Sequence, residues 1–162
     1  MKNWLYSFTG TNGDGTFPQA GVIVDAQGTI YGTTSEGGDL TGPVFYDDGC
    51  VAGQSLVTTG RPGLRTPTGT FHIYAKFSPI TFSSQWPTSS PYYFAPEKAS
   101  YGMEFRGGGF FIHDAPWEPS SGFGPGSENG ADASHGCVHM PTPTMQWLYS
   151  WSPIGTTVII RA

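Results

Sequence analysis

The sequence predicts a mainly β domain with one helix late in the chain, and three observations carry that prediction. Short runs rich in β-branched and aromatic residues recur along the chain, bounded by Gly and Asp turn signals. Gly (24) and Pro (14) are abundant, and both punctuate regular structure. Only one stretch, "PTPTMQWLYSW", spaces its apolar residues at the helical period.

The elements follow in chain order. "AGVIVDAQGTIYGTT" reads as two short β-branched runs around Asp25–Gly28, a hairpin signal. "PVFYDDGCVAGQSLVTTG" reads as a second hairpin turning at Asp47-Asp48-Gly49, with Cys50 a small residue beside the turn. "TGTFHIYAKF" alternates, with Phe71 and Ile73 on one face and His72 and Tyr74 on the other, so that His72 is a surface histidine. "YGMEF" and "GGFFIHD" are two further strands separated by Arg106–Gly109. The helix has a threonine cap, then Met145, Leu148 and Trp151 on one face. "GTTVIIRA" closes the sequence as a continuous buried-strand run. Residues 78–98 are aromatic, Pro-punctuated and without period, and residues 115–133 are Gly- and Pro-rich. Loops this long are binding loops, lids or disordered segments, and the aromatic one is a substrate-covering lid or a packing flap.

Composition bounds the function. The 162 residues suit one domain, or one domain with a small appendage. Aromatics at 15% supply apolar surface to bury, which argues against disorder. A net charge of -5 argues against a nucleic-acid partner. No apolar run is long enough to span a bilayer as a helix. The opening "MKNWLYSFTGTNGDG" lacks the apolar core of a secretory signal, which leaves a cytoplasmic protein or one whose leader is not part of this sequence. Two cysteines alone do not make a disulfide scaffold.

The chemistry concentrates in "SHGCVHM", residues 134–140. In an extended strand His135, Cys137 and His139 share one face, and Gly136 clears space just before the thiol. His113 leaves the end of a strand with Asp114 beside it, well placed for a general base. A Cys–His pair of this kind lowers the thiol pKa and stabilises the thiolate. The rival readings are a metal site built from His113, His135, Cys137 and His139, and plain core packing. Alternation along one strand spreads ligands by about 7 Å, a poor fit to a single tetrahedral ion.

"SHGCVHM", preceded by "IHD" at a strand end and by "TTGRPGLRTPTGTFHIYAKF", resembles the L,D-transpeptidase catalytic domain. The closing "QWLYSWSPIGTTVII" matches as well, so the resemblance runs from about Pro43 to Ala162. It implies a YkuD-like β-sandwich with long active-site loops. It also implies a peptidoglycan L,D-transpeptidase that forms 3-3 cross-links through a cysteine thioester. Carried over by position, Cys137 is the nucleophile, His113 the base and His135 a buttress. The N–H groups of Gly136 and Cys137 form the oxyanion hole. Ser134, His139, Asp114 and Trp117 are the implied substrate contacts. His139 departs from the family's Arg or Asn, and the gap between His113 and Ser134 is longer than usual.

The partners implied are peptidoglycan stem peptides as donor and acceptor, with carbapenem β-lactams as acylating mimics. No cofactor and no metal are implied, and the location is extracytoplasmic. Water in place of the acceptor amine gives an L,D-carboxypeptidase. A non-catalytic cell-wall-binding module and a metal-binding module are the alternatives from other classes. The catalytic domain is assigned to residues 41–162. Residues 1–40 resemble one copy of a tandem repeat of secreted bacterial proteins, expected to supply a strand, "GVIVD", to the catalytic sheet.

Overall fold

A computed structural model describes residues 15–18, 23–24, 30–31, 34–37, 44–47 and 50–161. The chain divides into two compact units, 1–54 and 55–162. This division falls later than the one drawn at residue 40 from sequence.

Six strands of the first unit are described by their backbone: β1 (Gly15–Pro18), β2 (Ile23–Val24), β3 (Ile30–Tyr31), β4 (Thr34–Gly37), β5 (Val44–Asp47) and β6 (Cys50–Gln54). Antiparallel ladders join β1 to β4, β2 to β3 and β5 to β6. Both hairpins expected from sequence are therefore present. Their turn residues, 25–28 and 48–49, lie outside the described residues, as do residues 1–14. Ile23–Val24, expected in the catalytic sheet, has a hairpin partner in β3.

The second unit contains β7 (Gly69–His72), β8 (Ala75–Phe77), β9 (Ile80–Phe82), β10 (Glu97–Ala99), β11 (Gly102–Arg106), β12 (Phe110–Asp114), β13 (Val138–Met140), the helix α1 (Thr142–Trp151) and β14 (Thr157–Ile160). The main sheet has the order β13-β12-β11-β8, with β12 and β13 parallel and the other pairs antiparallel. A second ladder pairs β7 with β14, and a third pairs β9 with β10.

The run "TGTFHIYAKF" is two strands rather than one. Ile73 N–H donates to Thr156 O at 2.9 Å, while Tyr74 N–H donates to Glu104 O at 3.0 Å. The chain thus leaves the β14 side at Ile73 and joins β11 one residue later, crossing between sheets as strands at sandwich corners do. Ile73 itself is fully buried at the crossing.

Met103, Phe105, Phe111, Ile112 and Met140 form the core of the main sheet, and Met145 and Leu148 of α1 are buried with them. The helix starts one residue earlier than its threonine-cap reading: Pro141 holds the N-cap position. The Thr142 hydroxyl reaches out to Asp114 Oδ2 at 3.1 Å. At the other end, Lys76 Nζ donates to Ser152 O at 2.7 Å and to Tyr149 O, so a cation meets the helix's last carbonyls. The closing strand β14 alternates between exposed and half-buried residues and is not the fully buried run expected from its apolar composition.

Residues 78–98, expected to be irregular, begin and end in the paired strands β9 and β10 and carry a long tip between them. Residues 115–133 include two short 3-10 turns and bury Ala115, Glu118, Phe123 and Ala133.

Candidate active site

The parallel pairing of β12 with β13 positions the site. In that register His113 lies opposite His139. His113 is 3% exposed, and its Nδ1 lies 2.8 Å from Asp114 O. A carbonyl only accepts, so Nδ1 carries the proton and the lone pair is left on Nε2. Burial, and then the charge of His139, push the imidazole down to about 3, against the opposing pull of the bond to Asp114 O. His113 is therefore neutral at physiological pH and able to take a proton. Phe82 stacks against its ring at 4.3 Å between centroids.

Cys137 sits on a turn, not on an extended strand. Residues 135–137 are bends, and β13 begins only at Val138. Gly136 breaks the alternation at φ +119°, a left-handed backbone that favours glycine. His135 and His139 consequently point to different neighbours, and the shared face expected from spacing is absent.

The turn is tied internally. Ser134 Oγ donates to Cys137 O at 2.6 Å and accepts Gly136 N–H at 3.0 Å. Thr66 Oγ1 also donates to Cys137 O, at 3.2 Å, while accepting Gly60 N–H at 2.9 Å. Arg61 Nε donates to Ala133 O at 3.0 Å, and its backbone N–H to Ser134 O at 2.9 Å. The segment "TTGRPGLRT" is thus a strap around the nucleophile turn.

Cys137 is a free cysteine whose Sγ–H donates to Gly109 O at 3.5 Å. Burial raises the thiol to about 11, more than the Phe111 N–H facing the sulfur lowers it, and Glu104's charge adds to the rise. The resting pair is thus neutral thiol and neutral imidazole. Desolvation of both groups disfavours the thiolate–imidazolium pair expected from a Cys–His neighbourhood.

Cys137, His113, His135, His139 and Trp117 all line one pocket of about 510 Å³, together with Arg61, Glu97 and Asp132. The tip between β9 and β10 lines it through Ser83, Gln85, Trp86, Tyr93 and Phe94. Trp86 and Phe94 flank the His135 ring at 5.4 and 4.9 Å, and the Tyr92 backbone bonds to His135. This aromatic segment lines the pocket and packs against His135.

The remaining site residues sort by burial. Trp117 reaches the site: its ring lies 5.9 Å from His113 and 5.8 Å from His139. Ser134 and Asp114 do not line the pocket. Ser134 is 1% exposed and occupied by the turn. Asp114 is fully buried, accepting Tyr101 N–H on Oδ1 at 2.8 Å and Thr142 Oγ1 on Oδ2. Its backbone carbonyl, not its carboxylate, orients His113. Of the two N–H groups expected in the oxyanion hole, that of Gly136 is engaged by Ser134 Oγ.

Glu118 is a site residue that sequence reasoning missed. It is 6% exposed, and its Oε2 lies 3.1 Å from His139 Nδ1. Its one signal in sequence is a carboxylate set between Trp117 and Pro119 in a chain with few charges. Among the described residues, no group of three or more His, Cys, Asp or Glu side chains is arranged to hold a metal ion.

A β domain that brings a free thiol and a neutral imidazole to one pocket holds the side chains that a cysteine-nucleophile site requires. The family model of the L,D-transpeptidase catalytic domain (YkuD) matches residues 40–160, and the chain belongs to this family. L,D-transpeptidase 1 of Mycobacterium tuberculosis is 26% identical over 103 residues, 61% of this chain and 38% of that protein. The chain therefore spans about two fifths of the length of that curated relative. Among solved structures, a cysteine-to-serine mutant of the Enterococcus faecium L,D-transpeptidase is 28% identical with a TM-score of 0.62, covering 72% of this chain and 44% of that one. The E. faecium catalytic domain acylated by ertapenem is 27% identical with a TM-score of 0.58, covering 74% of this chain and 88% of that one. A Mycobacterium smegmatis L,D-transpeptidase shares the fold at 24% identity and a TM-score of 0.63, over 83% and 64% of the two chains.

Proposed function

We propose that this chain is a peptidoglycan L,D-transpeptidase, acting outside the cytoplasmic membrane, with Cys137 as nucleophile and His113 as base. The single observation that carries the reading is the fixed tautomer of His113 in the pocket that holds Cys137. Its Nδ1–H is committed to Asp114 O, so Nε2 is the atom that accepts and returns protons.

The chemistry balances without a cofactor. As sulfur bonds to the donor carbonyl carbon, the thiol proton passes to His113 Nε2. Collapse of the tetrahedral intermediate breaks the C–N bond, and the leaving D-alanine amine takes that proton. The product is a thioester on Cys137. An acceptor amine from a neighbouring stem then gives its proton to His113, attacks the thioester and releases the thiol. Starting from the neutral pair is consistent with this sequence, because the thiol is deprotonated only as the C–S bond forms. Burial disfavours the protonated form of His113, so a proton taken from the thiol is readily passed on to the leaving amine. Glu97 and Asp132 supply negative charge in the pocket for a cationic acceptor.

Intact-protein mass spectrometry after incubation with a carbapenem tests the nucleophile. Wild type and Cys50→Ala are expected to gain one adduct, and Cys137→Ala none; an adduct that survives Cys137→Ala overturns the reading. His113→Ala is expected to slow acylation about a hundredfold or more. Incubation with stem tetrapeptides is expected to yield a 3-3 linked dimer. Release of D-alanine with a tripeptide alone would instead assign an L,D-carboxypeptidase.

A further inference from the structure

A closed set of contacts lies behind the base, beyond anything the transfer chemistry above requires. Thr58 and His139 exchange backbone hydrogen bonds, Thr58 N–H to His139 O at 3.1 Å and His139 N–H to Thr58 O at 2.8 Å. The side chains of the same two residues meet on one carboxylate: Thr58 Oγ1 donates to Glu118 Oε1, and His139 Nδ1 lies 3.1 Å from Glu118 Oε2. Thr58 is fully buried, and the Glu118 side chain is 0% exposed. On the other side of His139, the His113 ring is 4.7 Å away. Trp117 lies against both rings.

A buried carboxylate with one hydroxyl donor needs a charged partner to remain ionised. His139 is the group the structure places in ion-pair reach of it, Nδ1 to Oε2 at 3.1 Å. We propose that Glu118 and His139 are a positioning pair, in which the buried carboxylate holds the second imidazole, charged, against His113 and so keeps the base free of its proton. This inference rests on the reading of His113 as the base.

The same cation makes protonated His113 a better acid toward the leaving amine. The depression of His113 by the charge of His139 is in keeping with this role. The titratable groups that act on His139 come from four places: Glu118 from the loop after β12, His113 from β12 itself, His135 from the nucleophile turn and Glu97 from β10. Glu118 is the one in hydrogen-bond contact.

The full chain tests the pair in two ways. The first is an NMR pH titration of the His139 ring in wild type and Glu118→Gln, which does not depend on activity. Loss of the carboxylate is expected to lower the His139 titration midpoint by a pH unit or more; an unchanged midpoint overturns the pair. The second is the pH profile of carbapenem acylation in His139→Asn. Removing the neighbouring cation raises the proton affinity of His113, so the acid limb is expected to move to higher pH by about half a unit or more. A uniform drop in rate with the acid limb unmoved would overturn the role and leave His139 as packing. Near-ultraviolet circular dichroism shows whether each variant is folded, and a misfolded Glu118→Gln is replaced by Glu118→Asp, expected to retain the wild-type His139 midpoint to within half a unit. If His113→Ala acylates normally while the NMR shift is seen, the assignment of the base fails and the ion pair stands.

Discussion

A Cβ on Gly136 would lie 2.7 Å from Phe110 Cε1, a separation that real Cβ contacts do not show. The residue before Cys137 is thus fixed twice, by the ring beside it and by its φ of +119°. Gly136→Ala is expected to force Phe110 aside and to strain the turn by about 1–2 kcal/mol. A thermal midpoint several degrees lower and an acylation rate at least tenfold slower are the expected readouts, because displacing the thiol spoils the attack geometry. Wild-type acylation by the variant would show that the turn tolerates a side chain.

The protonation state of Cys137 makes a pH prediction. Burial places the thiol at about 11, so thiolate is the minor form throughout the neutral range. In a Cys50→Ala background, alkylation of Cys137 by iodoacetamide is expected to rise about tenfold per pH unit from 7 to 10 without levelling. A plateau below pH 9 would mean that a thiolate–imidazolium pair forms after all.

The aromatic segment predicts two readouts of opposite sign. Trp86 and Phe94 hold it to His135. Trp86→Ala is expected to loosen it, so small alkylating reagents reach Cys137 faster while carbapenem acylation becomes at least tenfold less efficient. Both rates falling together would instead indicate damage to the nucleophile turn.

Asp114 separates structure from substrate binding. Its carboxylate ties the end of β12 to Tyr101 and to the start of α1, while the group that orients His113 is its backbone carbonyl. Asp114→Asn is expected to cost about 1–3 kcal/mol through an ill-matched buried acceptor. The loss is read as a lower denaturation midpoint, with KM for a peptide donor unchanged. A rise in KM without loss of stability would restore Asp114 to the substrate site.

How much was legible in sequence follows the range of the interactions. The hairpin ladders and the break between Arg106 and Phe110 are local, set by glycines such as Gly108 and Gly109 that take positive φ. The helix was readable because Met145 and Leu148 are buried on one face at helical spacing. The crossing at Ile73 was not, since its apolar alternation continues unbroken while the hydrogen-bond partner changes from Thr156 to Glu104. Cys137 and His113 stood out by residue type. Glu118 did not: its partners Thr58 and His139 lie 60 and 21 positions away, and a carboxylate in a Pro-rich loop ordinarily faces solvent. Residue type reveals the imidazoles near Cys137 but not the desolvation that raises its thiol.

The N-terminal segment carries the last prediction. The family match begins at residue 40, whereas the compact catalytic unit begins at residue 55, so the β5–β6 hairpin belongs to the match but not to that unit. Within "GVIVD", expected from sequence to complete the catalytic sheet, Ile23–Val24 has its ladder partner in β3, and deletions test whether residues 1–40 stabilise the rest of the chain. Removing residues 1–14, which precede β1, is expected to leave the thermal midpoint almost unchanged. Removing residues 1–38 also takes away β1–β4 and is expected to lower the midpoint by many degrees or to give insoluble protein. A few kcal/mol is a large share of a domain's stability, so losing these strands is enough for that effect. If the longer deletion melts and acylates like the full chain, the catalytic domain completes its sheets without the segment.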